Sequence, residues 1–591
     1  MKTTRIGLLL LSVLLLLCLG LAACTGGDTP TDTTAADTPA PTEPDTEPDT
    51  EAPTEAPTEP ETTEEVTTEA PTEPEETEPP IVDVPVGDTL DAPHATQFTV
   101  SNVFASDMVV QRGEFLRVWG WADASQNGKK VTGEFKGMFA EAIIENGAWE
   151  ITFTARLEAS AELGHTMKIY ADGVSYEFKD VLVGDVYMVM GQSNCAYSVA
   201  NHHQYVNTDD KGGKNVLDYN APIRIHYNSQ NQTAGYPKQG TDEVCLEIRS
   251  GSKWQKADSY ADIYNFTAIG YLFAHNYVKL TDSKVPIGLI EIDGNGRPIG
   301  AFMCNEVATE KGTDRYDSTK GYYVTTGVNA DGGRFLYNHY MYPFERYAIA
   351  GLIWYQGESD FLQSNTRVYA ENFSALMTYM RGTHNLINKD FPVYYVEFPT
   401  IYQKPANHVG DWHYMDVGLI RAAMGEIQRI LPNSHQIVST DLWSDDTFFN
   451  NLHPNCKFEQ SERTAILAAA LNGEGGKTMA QGNGPILVSM EVLEGGRKAI
   501  LTYENVGEGL KTTDGGNTVK GFVLYRKNCS INSRDKVTAT ITAPNQITIE
   551  SNAGISGLAY NAITYNVYGV DINLCNSEGV PAGATVILKE D

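Results

Sequence analysis

Hydrophobic positions along the chain fall into three successive patterns, and each predicts a different kind of structure. Between Gly87 and about Asp180, short β-type runs alternate with polar turns: Phe98 to Phe104, Met108 to Gln111, Phe115 to Trp121, Ala148 to Phe153, Met167 to Tyr170 and Val174 to Phe178. Runs this short, separated by Gly and Asn, predict an N-terminal β-sandwich over residues 87–180. From residue 181 to 475 the runs become apolar at almost every position: Val186 to Met190, Ile223 to Tyr227, Ile287 to Ile292, Ile349 to Tyr355, Val393 to Phe398 and Ile437 to Leu442. A run apolar throughout reads as a strand buried on both faces, as in parallel sheets covered by helices. Helical spacing lies between the runs, as in Tyr369, Phe373, Leu376 and Met380, which build one apolar stripe, and in Phe266 to Leu280 ahead of Pro286. The alternation predicts an α/β fold, a doubly wound, flavodoxin-like three-layer domain. Over residues 476–591 strands return, at Ile486 to Val492, Ala499 to Tyr503, Gly521 to Tyr525, Lys536 to Thr542 and Gln546 to Glu550, giving a C-terminal β-region. Leu574 to Ala582 is expected to return toward the rest of the molecule.

The first 86 residues follow none of these patterns. Met1 to Cys24 has Lys2 and Arg5, an apolar stretch from Ile6, and the ending Leu21-Ala22-Ala23-Cys24, as in a secretory signal. That ending resembles the lipobox of bacterial lipoproteins, which implies lipid on Cys24 and an extracytoplasmic chain, anchored to the cell membrane through that lipid or secreted. Residues 25–86 form a repetitive Thr/Pro/Glu/Asp tract that cannot bury enough apolar surface to fold. It reads as an extended linker. Asp28 to Pro80 holds eighteen Asp and Glu and no Lys or Arg, so the net charge of −33 belongs largely to this tract. No basic cluster appears elsewhere, which argues against a nucleic-acid partner.

Eight cysteines are present, and Cys18 and Cys24 belong to the signal region. The other six, Cys195, Cys245, Cys304, Cys456, Cys529 and Cys575, are too scattered for a disulfide framework and read as buried thiols. No C-x-x-C or H-E-x-x-H spacing supports a metal site, and no cofactor motif is present.

Chemistry gathers at the carboxyl ends of the expected parallel strands, where ligands of open α/β sheets settle. Val186 to Met190 runs into Gly191-Gln192-Ser193-Asn194, which presents a serine hydroxyl at a strand-to-helix turn. Ile287 to Ile292 is followed by Asp293-Gly294-Asn295-Gly296-Arg297-Pro298, whose glycines let a backbone amide approach a ligand. Tyr355 is followed by Gln356-Gly357-Glu358-Ser359, and beyond Leu442 lies Asn450-Asn451-Leu452-His453-Pro454. Ester cleavage by serine requires a base for the hydroxyl proton and preplaced donors for the charge that develops on the carbonyl oxygen. Ser193 is the candidate nucleophile and His453 the base. The amides of Ser193 and Gly296 and the side-chain amide of Gln356 are the candidate oxyanion donors. A glycosidase using Asp293 and Glu358 would rest on strand-end position alone.

The blocks V-G-D-V-Y-M-V-M-G-Q-S-N (Val183 to Asn194), F-T-A-I-G-Y-L-F-A (Phe266 to Ala274), V-P-I-G-L-I (Val285 to Ile290), G-L-I-W-Y-Q-G-E-S-D (Gly351 to Asp360) and L-H-P-N-C-K (Leu452 to Lys457) resemble sialate O-acetylesterases and related carbohydrate acetylesterases of the SGNH-hydrolase superfamily. The resemblance runs from about Val103 to Ala582. It implies a flavodoxin-like catalytic domain with attached β-domains, no metal, and an O-acetylated glycan as substrate, either sialic acid or an acetylated polysaccharide. Carried over by motif, Ser193 is the nucleophile, His453 the base, and Gly296 and Gln356 oxyanion donors.

The chain departs from the family pattern at several positions. Relatives place an aspartate two or three residues before the histidine, where this chain has Asn450 and Asn451. An amide there can hold the wrong imidazole tautomer. Glu358, Asp445 or Asp446 could orient the ring instead, or a backbone carbonyl could serve a Ser–His dyad. A weakened enzyme would leave the fold as a surface carbohydrate-binding module. Asn295-Gly296 replaces the family's Gly-Gly, and Cys195 replaces its Met. His202 and His203, shortly after the nucleophile, read as a solvated loop pair.

Overall fold

The computed structural model describes residues 95–160, 164–202, 216–228, 244–304, 307, 315–317, 322–324, 335–361, 368–398, 412–442, 453–525, 537–561 and 572–589. The signal region with Cys24, the acidic tract, His203, Asp445, Asp446, Asn450, Asn451 and Cys529 lie outside the described residues.

The central path of the main sheet has seven strands: β1 (Val174–Gly191), β2 (Ile223–Tyr227), β3 (Lys253–Lys256), β4 (Ile287–Asp293), β5 (Gly351–Tyr355), β6 (Val393–Val396) and β7 (Ser434–Ile437). They are hydrogen-bonded in the order β3-β2-β4-β1-β5-β6-β7. All neighbours are parallel except β3, which runs antiparallel to β2 at the edge. The helices that matter below are α1 (Ser193–Ala196), α2 (Ala268–Thr281), α3 (Glu358–Phe361), α4 (Tyr369–Thr383), α5 (Trp412–Ile430) and α6 (Lys457–Leu471). The α4 stripe behaves as its spacing requires: Tyr369, Phe373, Leu376 and Met380 are all buried. The architecture is mixed α/β, with a parallel central sheet and additional antiparallel sheets.

The strand β1 changes character along its length. Its first residues are mostly exposed and pair antiparallel with His165–Ala171, whereas Val181 to Gly191 are all buried and the sheet path continues parallel on both sides. The change of pattern at 180/181 therefore falls inside one strand. Buried side chains from Phe98 to Ala469 accordingly form a single hydrophobic cluster, while the C-terminal strands build a separate one around Leu501, Ile547 and Ile549.

Several elements escaped the hydrophobic pattern or were displaced from it, and three show why. The hairpin Lys130–Phe135/Met138–Ile143 turns through Lys136 and Gly137, with φ of 48° and 80°. Both central residues are left-handed, as a two-residue I′-type turn requires, but Lys is not the residue that signals such a turn. β3 is an edge strand, Lys-Trp-Gln-Lys, with only Trp254 fully buried. β7 lies at Ser434–Ile437 instead of Ile437 to Leu442, because polar residues fill its interior positions. Ser434 Oγ donates to the Leu431 carbonyl at 2.7 Å, and Gln436 Nε2 donates to Glu397 Oε2 at 2.7 Å. Beyond the sheet, Asn576 returns from the C-terminal region and donates to the carbonyls of Ala480 (2.7 Å) and Asn483 (3.0 Å).

Candidate active site

The end of β1 is packed so closely that its last residue has to be glycine. A β-carbon on Gly191 would sit 2.1 Å from the Tyr355 carbonyl oxygen and 2.8 Å from Cys195 Cβ. The chain then turns at Gln192, whose amide donates to the Tyr355 carbonyl at 3.1 Å. Its side-chain oxygen accepts from the Ser359 amide at 3.0 Å and from Gln356 Nε2 at 3.1 Å. Gln192, 2% exposed, thus binds the turn after β1 to the turn after β5. Ser193 opens α1, where backbone amides have no acceptor within their own helix. Its hydroxyl lies 2.8 Å from His453 Nε2.

His453 arrives from the other end of the domain, four residues ahead of α6. Its ring lies parallel to that of Tyr197, with centroids 5.7 Å apart and an interplanar angle of 10°. Half-burial and the nearby Lys457 ammonium hold the imidazole pKa below its ordinary value. Both effects favour the neutral ring that a base must start from.

Behind this pair runs a buried polar chain. Lys457 Nζ donates to Asn194 Oδ1 at 2.7 Å and to the Pro454 carbonyl at 3.1 Å. Asn194 Nδ2 in turn donates to Glu358 Oε1. The orientation of the Asn194 amide follows from chemistry, since an ammonium only donates and must face the amide oxygen. Lys457 is fully buried, with Nζ 4.5 Å from the centroid of the Tyr355 ring. Burial lowers its pKa to about 8. Glu358 Oε2 is buried without a hydrogen-bond partner, and burial pushes the carboxyl up to about 7 against the opposing pull of Asn194 and Lys457.

The loop after β4 is tied to the same place. The Gly294 amide donates to the Gly191 carbonyl at 3.0 Å, and the Arg297 carbonyl accepts from Gln356 Nε2 at 3.1 Å. Gly296 is exposed at φ +67°, with open space where a β-carbon would stand. Asp360, fully buried, accepts from Gln356 Nε2 at 2.6 Å and from the Ile299 amide at 2.9 Å.

Several expectations are refined by this geometry. Ser193 and His453 meet directly, and Gly296 lies on the loop bonded to their turn. Gln356, however, is fully buried, and its amide hydrogens face Gln192, Arg297 and Asp360. Two hydrogens among three interior acceptors leave none for a reacting oxygen, so Gln356 joins strand ends instead of serving as an oxyanion donor. Glu358 does not orient His453: it sits behind Asn194, which is its side-chain partner. The Asp293 carboxyl bonds to its strand neighbour Glu291, and desolvation raises both, so Asp293 and Glu358 do not form a working pair. His202 is 1% exposed and packs on Tyr197 at 4.9 Å between centroids, so it is not solvated.

Cys195, Cys245, Cys304, Cys456 and Cys575 are buried, and burial pushes the Cys195 thiol well up, away from nucleophilic use. Among the described residues no group of three His, Cys, Asp or Glu side chains could hold a metal ion. Residues that the sequence did not single out include Gln192, Tyr197 and Lys457. The signal for Lys457 was present as a lysine four residues after His453, opening a helix whose next turn carries Phe458 and Ser461 inward.

The fold and this pair define an α/β protein with serine and histidine at the carboxyl edge of a parallel sheet. A carbohydrate acetylesterase from Xanthomonas citri has the same fold, with a TM-score of 0.62 at 23% identity over 83% of this chain and 100% of that one. Residues 183–457 match the family of carbohydrate esterases described as sialic acid-specific acetylesterases. The sialate O-acetylesterases of Pongo abelii and Homo sapiens are each 28% identical over 340 residues, covering 55% of this chain. The match takes in 60% of the length of these relatives.

Proposed function

We propose that the chain is a serine hydrolase that removes O-acetyl groups from carbohydrate through an acetyl-enzyme. The observation that carries this reading is the 2.8 Å contact between Ser193 Oγ and His453 Nε2. In the first half-reaction the Ser193 hydroxyl gives its proton to His453 Nε2 as its oxygen attacks the acetyl carbonyl. The amides of Ser193 and Gly296 receive the negative charge on the carbonyl oxygen, each worth on the order of 3 kcal/mol of barrier. His453 then protonates the departing sugar oxygen, which leaves as an alcohol. In the second half a water gives a proton to His453 and attacks the acetyl group, and acetate departs as Ser193 recovers its proton. The substrate is an acetylated sialic acid or an acetylated polysaccharide, and Cys24 tethers the enzyme outside the cytoplasm through the acidic Thr/Pro/Glu tract.

Acetate release from a panel of acetylated glycans, beside hydrolysis of p-nitrophenyl acetate, tests the reading. Hydrolysis lost in Ser193→Ala supports it. Full activity in that variant, or sugar binding with no acetate released from any glycan, rejects it, the latter in favour of a binding module. Incorporation of labelled palmitate that disappears in Cys24→Ala tests the tether.

A further inference from the structure

One buried cation touches the residue that follows each member of the pair. Asn194 follows Ser193, and Pro454 follows His453. Lys457 Nζ holds the side-chain oxygen of the first at 2.7 Å and the backbone carbonyl of the second at 3.1 Å. We infer that Lys457 is the positioning residue that sets the Ser193–His453 distance, acting as a charged clamp between the two loops. The inference rests on the esterase reading, in which that distance matters.

The chemistry of an ammonium suits the task. It has three hydrogens and no acceptor, so it can satisfy two oxygens from separate chain segments and leave a third hydrogen. The Tyr355 face, 4.5 Å away, takes up charge that water would otherwise solvate. Tyr197, which stacks on His453, lies 5.9 Å from the same nitrogen. Burying a charge in this way is tolerated only where partners are fixed, and Asn194 relays the ammonium to the Glu358 carboxyl on α3.

Other groups also act on this lysine. Facing it from the packed elements are Glu358 on α3, Cys195 on α1, Cys456 just before α6, and the rings of Tyr355 and Tyr197, with His453 on the site side. Asp360 acts on Glu358, and the Glu291–Asp293 pair acts on Cys195. The two cysteines stay neutral because burial raises their pKa values. The cation then acts on His453 as a like charge that disfavours imidazolium.

The test compares the wild-type chain with Lys457→Met and with the charge-balanced K457M/E358Q, the second serving if the first fails to fold. With p-nitrophenyl acetate, kcat should fall on the order of 100-fold with KM nearly unchanged, as for loss of reactant alignment. The acidic limb of the kcat/KM profile should move to higher pH, because removing a like charge raises the His453 pKa. An NMR titration of the His453 ring should move in the same sense, and it needs no turnover. A folded variant with wild-type kcat overturns the inference. So does one whose kcat falls while the limb and the ring titration stay in place, since the cation would then not act on the base. Wild-type protein without any ester hydrolysis would instead reject the proposed function, leaving the ring titration to decide this point separately.

Discussion

The two halves of the candidate dyad are held in different ways. Ser193 stands on a turn wedged between two strand ends, with Gly191 against the Tyr355 carbonyl and Gln192 bonded to the turn after β5. Its position is a property of the sheet. His453 comes from more than two hundred and fifty residues further along the chain and is placed by a ring face, Tyr197, and by the clamp that begins the next helix. Among the described residues, the side chains of Tyr197 and Lys457 help to place it. The nucleophile should therefore respond most to changes in backbone packing at its turn, and the base most to changes in the side chains around it.

The largest effect expected is loss of either member. Ser193→Ala and His453→Ala should each lower kcat on the order of 10⁶-fold, and the double variant little further, because the pair acts as one unit. Steady-state kinetics on all three variants checks this. Next comes the sheet side of the comparison. Gly191→Ala forces backbone apart, so it should cost about 3 kcal/mol of stability, read as a lower denaturation midpoint, and abolish turnover.

Glu358→Gln sharpens the contrast through pH. The native carboxyl titrates near 7, above the 4.5 of an ordinary glutamate, so its contribution to stability is fully present below pH 4.5 and is lost as pH rises through 7. The glutamine variant lacks that loss and should be more stable than wild type above pH 7, by up to about 3 kcal/mol, with the gap closing toward pH 4.5. Urea midpoints across that range measure it. On the base side, Tyr197→Leu should lower kcat only roughly threefold to tenfold, the worth of one ring contact. In the wild type, the acidic limb of kcat/KM should lie below pH ~6.5, the ordinary histidine value, because burial and Lys457 disfavour the charged ring.

Legibility in the sequence followed the same division. Strands buried on both faces announce themselves by composition, so β2, β4, β5 and the buried end of β1 were readable to within a few residues, and with them the turns that carry Ser193 and Gly296. β7 was displaced because Ser434 and Gln436 are buried and satisfied by hydrogen bonds, which a hydrophobic pattern cannot register. The roles of Gln356 and Glu358 were misjudged for a related reason. Strand-end position shows that a polar residue is near the crevice, but not whether its atoms face the ligand or the interior. Gln356 faces Gln192 and Asp360, and Glu358 faces Asn194. Lys457 was passed over because a lysine at a helix start reads as solvated, and only the three-dimensional structure shows its ammonium enclosed.

The most direct test of the central claim is to catch the intermediate. Wild-type protein mixed with excess p-nitrophenyl acetate, quenched in acid within its first turnovers, is digested and its peptides weighed. The account predicts a mass gain of about 42 Da, one acetyl group, on the peptide containing Ser193, absent from Ser193→Ala. An acetyl group found on another residue, or turnover with no acetyl at Ser193 at any quench time, would contradict it.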